Sequence, residues 1–260
     1  MSGEGPGVAL QLFTVREALA ADRKATLRRL GDCGFTAVET AGPIGTTAAL
    51  TRAELGEFGL VVVGSYFLGA PSEFGSFVDE QASIGNHTIV SMFGPDRFAD
   101  ADSVRRAADE FSSLAELADS AGSRLGYHNH SWEWRPQVDS SHAFDVFVDE
   151  LDPRVFLEFD YYWAAVGGAG DVGAGIASRI RRLHVKDGPL TDSPSMSAIG
   201  EGAFDVLPTI ASQSNLEWAV IAFDESDDDA FEASVRGREY LVDSGLVRPG
   251  PVSNHRESGE

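Results

Sequence analysis

Strands and helices alternate eight times along this chain, and no other feature restricts the fold as strongly. Short apolar runs at residues 8–13, 34–39, 60–66, 88–93, 123–130, 155–160, 180–186 and 218–223 read as strands. Apolar residues at helical spacing predict helices over 17–30, 46–58, 71–84, 102–121, 141–151, 171–178, 204–214 and 229–244. The run Leu60-Val61-Val62-Val63 is nearly continuous, as expected of a strand buried on both faces. Strict alternation of β and α units with apolar strands means a parallel sheet covered by helices. Eight such units fill about 245 residues, the size at which they close into a (β/α)8 barrel, the TIM-barrel architecture. An open doubly wound sheet would carry a glycine-rich fingerprint after its first strand. That position reads Thr14-Val15-Arg16, while Gly167-Gly168-Ala169-Gly170 follows the sixth strand without the fingerprint and reads as a loop.

The barrel is expected as a single α/β domain over 8–247, with a flexible leader at 1–7 and a polar, Pro/Gly/Ser-containing disordered tail at 248–260. Net charge is −21, and Lys24 and Lys186 are the only lysines. Nucleic acid and anionic membrane surfaces both need a basic face, so neither is an expected partner. One cysteine, Cys33, excludes an internal disulfide and a cysteine-based zinc site. No stretch approaches the ~20 continuous apolar residues of a membrane helix, and the first residues lack a signal-peptide pattern, so a cytoplasmic location is expected. Apolar helix faces would allow a homodimer, though no segment marks one.

Barrel chemistry sits at the carboxyl ends of the strands. Those ends carry Gln11, Glu39, Tyr66, His128 with His130, Glu158 with Asp160, His184 with Lys186, and Asp224 with Glu225. Alternation on a regular strand puts His128 and His130 on one face, as paired metal ligands or acid–base groups, or as a hydrogen-bonded structural pair. Histidine with carboxylate suits a divalent cation such as Mn, Co, Mg or Zn. Glu158 shares strand parity with Asp160 and is a candidate base or acid, or else a structural carboxylate paired with an arginine or lysine. His130 is the alternative base. Lys186 would stabilise an oxyanion or bind a carboxylate. Trp132, Trp134, Tyr161, Tyr162 and Trp163 fall on the loops after strands five and six, where they would wall the apolar face of a ligand or simply pack the loops. Gln11, Glu39 and Tyr66 complete the expected substrate contacts. No glycine-rich helix start carries Lys or Arg at phosphate-cradling spacing, so a phosphate group is not an expected ligand.

These residues resemble the xylose isomerase-like barrel superfamily, and more narrowly its sugar phosphate isomerase/epimerase branch. The resemblance rests on Leu10-Gln11-Leu12-Phe13-Thr14-Val15-Arg16-Glu17, Val38-Glu39-Thr40-Ala41-Gly42, Tyr127-His128-Asn129-His130 with Glu133, Leu157-Glu158-Phe159-Asp160 with Tyr162-Trp163, His184-Val185-Lys186-Asp187-Gly188 and Gly200-Glu201-Gly202. It implies a divalent metal held from strands five to eight by a carboxylate, an Asp, a His and a Glu. Carried over, these positions fall on His128, Asp160, His184 and the eighth strand. There the expected Glu is Ala222, with Asp224 two residues on as a substitute of the same parity. The third strand departs too, with Tyr66-Phe67 where relatives commonly place a histidine. The implied chemistry is isomerisation or epimerisation, or dehydration and lyase chemistry, by proton abstraction alpha to a carbonyl with the metal stabilising an enediolate. The alternative that Ala222 raises is a metal-free lyase or a sugar-binding accessory subunit. The superfamily's endonuclease IV-type DNA repair conflicts with the charge.

Overall fold

The computed structural model describes residues 5–41, 47–226 and 228–250. Eight strands form a closed parallel barrel in chain order. They are Gly7–Gln11, Ala37–Ala41, Val61–Tyr66, Thr88–Ser91, Arg124–His128, Phe156–Asp160, Ile180–Val185 and Trp218–Ile221. The barrel closes where Leu10 lies beside Ile221. The chain is therefore a single (β/α)8 barrel. Residues 1–4 of the expected leader and 251–260 of the expected tail lie outside the described residues. Arg248 bridges to Gly7, and its carbonyl accepts from Val8 N, so the start of the tail segment is tied to the first strand.

The helices follow from local chemistry. Ala101–Ser120 begins at Asp100, whose side chain accepts from Ser103 N. Its stripe of Val104, Ala107, Ala108, Phe111, Leu114, Ala115 and Ala118 is buried. Phe98, Phe111, Phe144 and Phe147 pack around Tyr127 with ring centroids 4.6–6.4 Å away, a core between the sheet and its helical coat. Among the described residues no helix is long and apolar enough to cross a membrane.

Three local readings change. The expected helix over 17–30 is two helices, Arg16–Ala21 and Arg23–Asp32, because Asp22 is extended and caps the second through Ala25 N. Tyr161, Tyr162 and Trp163 do not lie on a loop. They open a helix, Tyr161–Gly167, whose N-cap is Asp160 and whose end is set by Gly168 in the left-handed conformation. The third strand is not buried on both faces along its length: Val61 is 43% exposed and Val62 and Val63 are half-buried, since the cover is complete only from Gly64 onward.

Candidate functional site

Strand alternation stacks the barrel interior in layers. At the bottom, Ala9, Ala37 and Val220 form an apolar plug with Val63 and Trp218. Arg182, His184 and Lys186 share parity on the seventh strand and climb through the layers above it.

Arg182 forms the middle layer. It is fully buried and donates Nε to Glu158 Oε2, Nη2 to Glu39 Oε2 at 2.6 Å and Nη1 to the Val63 carbonyl at 2.7 Å. A Cβ on Gly64 would stand 2.9 Å from Arg182 Nη2, so only glycine leaves room for the guanidinium. The other oxygens of the two glutamates face His184 Nε2, at 3.1 Å from Glu39 Oε1 and 2.9 Å from Glu158 Oε1. Tyr66 donates its hydroxyl to Glu158 Oε1 at 2.9 Å, and Gln11 donates to Glu39 Oε1 at 3.1 Å. Both oxygens of Glu158 are thus engaged. Burial alone would raise its carboxyl, but His184 and Arg182 hold it well below the ordinary carboxylate range. Of the two readings of Glu158, base or acid and structural carboxylate paired with an arginine or lysine, this pairing matches the second, and it leaves no oxygen of Glu158 without a partner.

The top layer differs. His184 Nε2 must donate to those carboxylates, which leaves Nδ1 with the lone pair when the ring is neutral; Nδ1 is buried and has no hydrogen-bond partner. Burial opposes charge on this ring, yet Glu158 and Glu39 raise its pKa to about 9. His128 Nδ1 lies 3.3 Å from the Glu158 carbonyl, so Nδ1 is the donor and Nε2 keeps its lone pair. Burial, with His184 and His130 nearby, holds His128 neutral. Asp160 Oδ1 accepts from Trp163 N at 2.8 Å as a helix cap, while Oδ2 is buried with no hydrogen bond. Asn129 fixes the Asp160 backbone from both sides, accepting from its N–H at 2.9 Å and donating to its carbonyl at 3.1 Å. One ligand atom from each of His128, Asp160 and His184 lies within 4.8 Å of the others. Each ligand is fixed through its other atom, and this arrangement is how metal-binding histidines and carboxylates are oriented. The three fit a divalent cation.

Asp224 is turned elsewhere. Both of its oxygens accept from Lys186 Nζ at 3.0 Å, and Oδ2 accepts from Trp163 Nε1 at 2.8 Å. Lys186 Nζ is also 3.3 Å from Asp160 Oδ2. Burial opposes the Lys186 charge, but Asp224 and Asp160 keep it an ammonium. Asp224 is 33% exposed, whereas Glu39, Glu158 and Asp160 are sealed.

His130 sits just past the fifth strand, its ring 4.6 Å from that of His128. Trp132 stacks on it at 4.0 Å and 9°, and its Nε1 donates to the Phe93 carbonyl at 3.2 Å. Burial and then Lys186 push the His130 pKa down to about 3, and Nδ1 is buried without a partner. Gln11, Glu39, Tyr66, His128, His130, Asp160, His184, Lys186, Asp224, Trp132 and Trp163 thus form one connected cluster.

The roles of several contributors went unread in the sequence. Arg182 was marked only by its parity with His184 and Lys186. Glu133, fully buried, accepts from Tyr127 Oη at 3.0 Å and from His130 N at 2.9 Å, which pins the exit of the fifth strand. Asp187 accepts from the backbone N–H groups of Gly188, Gly200, Gly202 and Phe204 and so ties down the loop after the seventh strand. The family motifs contain both residues, Glu133 after the fifth strand and Asp187 after the seventh, but gave neither one its role.

The fold and cluster define a (β/α)8 barrel with two imidazoles and a carboxylate converging at its mouth. The family model described as xylose isomerase-like TIM barrel matches residues 27–212, and the chain belongs to that family. No curated protein matches the sequence. A sugar phosphate isomerase/epimerase from Parabacteroides distasonis ATCC 8503 is similar in structure, with a TM-score of 0.80 and 22% identity over 95% of this chain and 97% of that one. So is the probable 3-DHS dehydratase AsbF involved in petrobactin synthesis from Bacillus anthracis, with a TM-score of 0.70 and 13% identity over 91% and 98%. The IOLI protein with a binding zinc atom gives a TM-score of 0.69 and 13% identity over 91% and 97%. At these identities the likeness establishes a shared fold.

Proposed function

We propose that the chain is a metal-assisted isomerase or epimerase of an uncharged sugar, keto-sugar or cyclitol, working by proton transfer next to a carbonyl. The observation that carries this reading is the convergence of one ligand atom each from His128, Asp160 and His184 within 4.8 Å, with His184 Nδ1 unpartnered and Asp160 Oδ2 met by the Lys186 ammonium alone. Charge supports it. Glu39, Glu158, Asp160 and Asp224 face two fixed cations, Arg182 and Lys186. His184, raised to about 9, is a third cation while it keeps its second proton; a divalent ion would displace that proton and balance the excess, and uncompensated buried charge is costly. In the same sense, burial raises the carboxyls of Glu39 and Asp160.

A cation held by His128, Asp160 and His184 supplies Lewis-acid polarisation of a bound carbonyl. The chain's own residues do the rest. Asp224, like Glu158, has both oxygens hydrogen-bonded, but it is the carboxylate of the cluster that reaches solvent; burial opposes its charge, Lys186 keeps it ionised, and on its exposure we assign it the substrate proton, taken from one carbon and returned to the substrate. His130 offers a neutral nitrogen to a substrate hydroxyl, and Trp132 holds the ring flat. Trp163 aims Asp224 and, with Trp132, presents an aromatic face suited to a sugar ring. Arg182 and Lys186 are fully paired inside the cluster, which favours a substrate without phosphate or carboxylate. The partner expected is accordingly a small neutral polyol, not nucleic acid or membrane.

The test is solvent deuterium exchange, followed by NMR across ketoses, inososes and keto-glycosides with metal-loaded protein. Wild type should exchange at least one substrate, and Asp160→Ala should lose roughly a thousandfold or more of that rate. An inert wild type, or Asp160→Ala exchanging at full rate, defeats the reading.

A further inference from the structure

The triad differs in kind from the oxygen-rich set that the sequence resemblance implies. Nitrogen replaces a carboxylate at His128, and a methyl group replaces one at Ala222. Ala222 is fully buried and follows Ile221, whose register partner on the seventh strand is Val185, so it stands level with Lys186. Asp224 does not fill the gap, because Lys186 and Trp163 engage its oxygens. What remains is two imidazole nitrogens and one carboxylate oxygen.

We propose that this centre selects a borderline transition metal, of the Zn²⁺, Co²⁺ or Fe²⁺ class, over Mg²⁺ and Mn²⁺. It holds the ion by His128, Asp160 and His184 alone and leaves the eighth-strand side open to substrate. The proposal rests on the reading that the triad binds metal and adds which metal and through how many ligands. Magnesium demands oxygen ligands and gives up water reluctantly. Imidazole suits zinc, cobalt and iron, and two histidines with one carboxylate leave coordination positions open. Lys186 sharpens the choice. Its ammonium lies 3.3 Å from Asp160 Oδ2 and repels any divalent ion equally, so the imidazole–metal bonds, strong for zinc, cobalt and iron and weak for magnesium, decide which ion overcomes that repulsion. Refilling position 222 with Glu, or returning position 128 to Glu, should restore the oxygen-rich character.

The experiment uses the full chain, stripped with chelator and titrated with Co²⁺ by visible absorption, followed by competition with Zn²⁺, Mn²⁺ and Mg²⁺. One Co²⁺ should bind and Zn²⁺ should displace it stoichiometrically, while about a hundredfold excess of Mn²⁺ or Mg²⁺ removes less than about a tenth. His128→Glu should lower the Co²⁺/Mn²⁺ preference about tenfold or more, and Ala222→Glu should shift it the same way. Circular dichroism decides which variants are folded, and wild-type competition stands without them. Failure of Co²⁺ to bind, equal competition by Mn²⁺ or Mg²⁺, or an unchanged preference in a folded variant overturns the proposal. Deuterium exchange separates the two levels: Co²⁺ selectivity without exchange sinks the isomerase reading alone, whereas exchange supported best by Mg²⁺ sinks the selectivity alone.

Discussion

Two buried charge clusters share the same strands within one barrel, and they are built to opposite rules. In the middle layer, Arg182 meets Glu39 and Glu158, and every charged group there finds partners. One layer up, Asp160 Oδ2 and His184 Nδ1 are buried without a hydrogen bond, and so is His130 Nδ1 just beyond. Residues two apart on the sixth and seventh strands supply both. Satisfied polar networks fix a geometry, whereas a group of orphaned buried atoms that converge on one point calls for an explanation, of which a bound ion is one. Glu158 links the two: its side chain completes the lower cluster, and its carbonyl sets the tautomer of His128 above.

The sharpest way to break this contrast is Arg182→Met. It removes the cation that holds two sealed carboxylates together, and losing one partner of a buried ion pair typically costs about 3–5 kcal/mol. Urea unfolding should show a loss of that size. Wild-type stability in Arg182→Met would mean the middle layer is not the framework of the mouth.

A smaller effect is expected at the seam. Asn129 makes two hydrogen bonds to the Asp160 backbone, and Asn129→Ala removes both. The cost should be about 1–3 kcal/mol in urea, with metal affinity falling as Asp160 loses its position. Full metal affinity in the variant would show that the helix cap through Trp163 suffices to place Asp160.

The fold was legible because the β/α period recurs through the chain, and a parallel barrel has few competitors at this length. The mouth residues were legible because strand parity places them: Glu158 with Asp160, and His184 with Lys186. Their partnerships were not. Whether Glu158 is a base or a strut depends on Arg182, which occupies the same parity one step earlier but bonds across the barrel to the second strand, at Glu39. The orientation of Asp224 depends on an indole from the sixth unit and an amine from the seventh. Such contacts depend on closure of the barrel, and closure joins residues as far apart as Gln11 and His184. The helix at Tyr161 was missed for a local reason: an aromatic cluster followed by a glycine pair reads as loop until Asp160 is seen to cap it.

A pH series tests whether the orphaned atoms are the only unusual groups near the mouth. Glu133 has both oxygens hydrogen-bonded but no cation beside it, and burial lifts its pKa to about 8. Its folded value therefore lies above the unfolded value of 4.5. Between the two the unfolded chain releases the proton while the folded protein keeps it, so stability falls as pH rises through that window. The slope from this group approaches roughly 1.4 kcal/mol per pH unit. Glu133→Gln removes the ionisation, and the wild-type minus variant difference in unfolding free energy should decline from about pH 5 to pH 8 and then level off. A difference that stays flat across that range would place a charged, compensated carboxylate at Glu133. The exit of the fifth strand would then follow the rule of the middle layer, with paired charge as its fastening, instead of a neutral clamp holding His130 in place by hydrogen bonds alone.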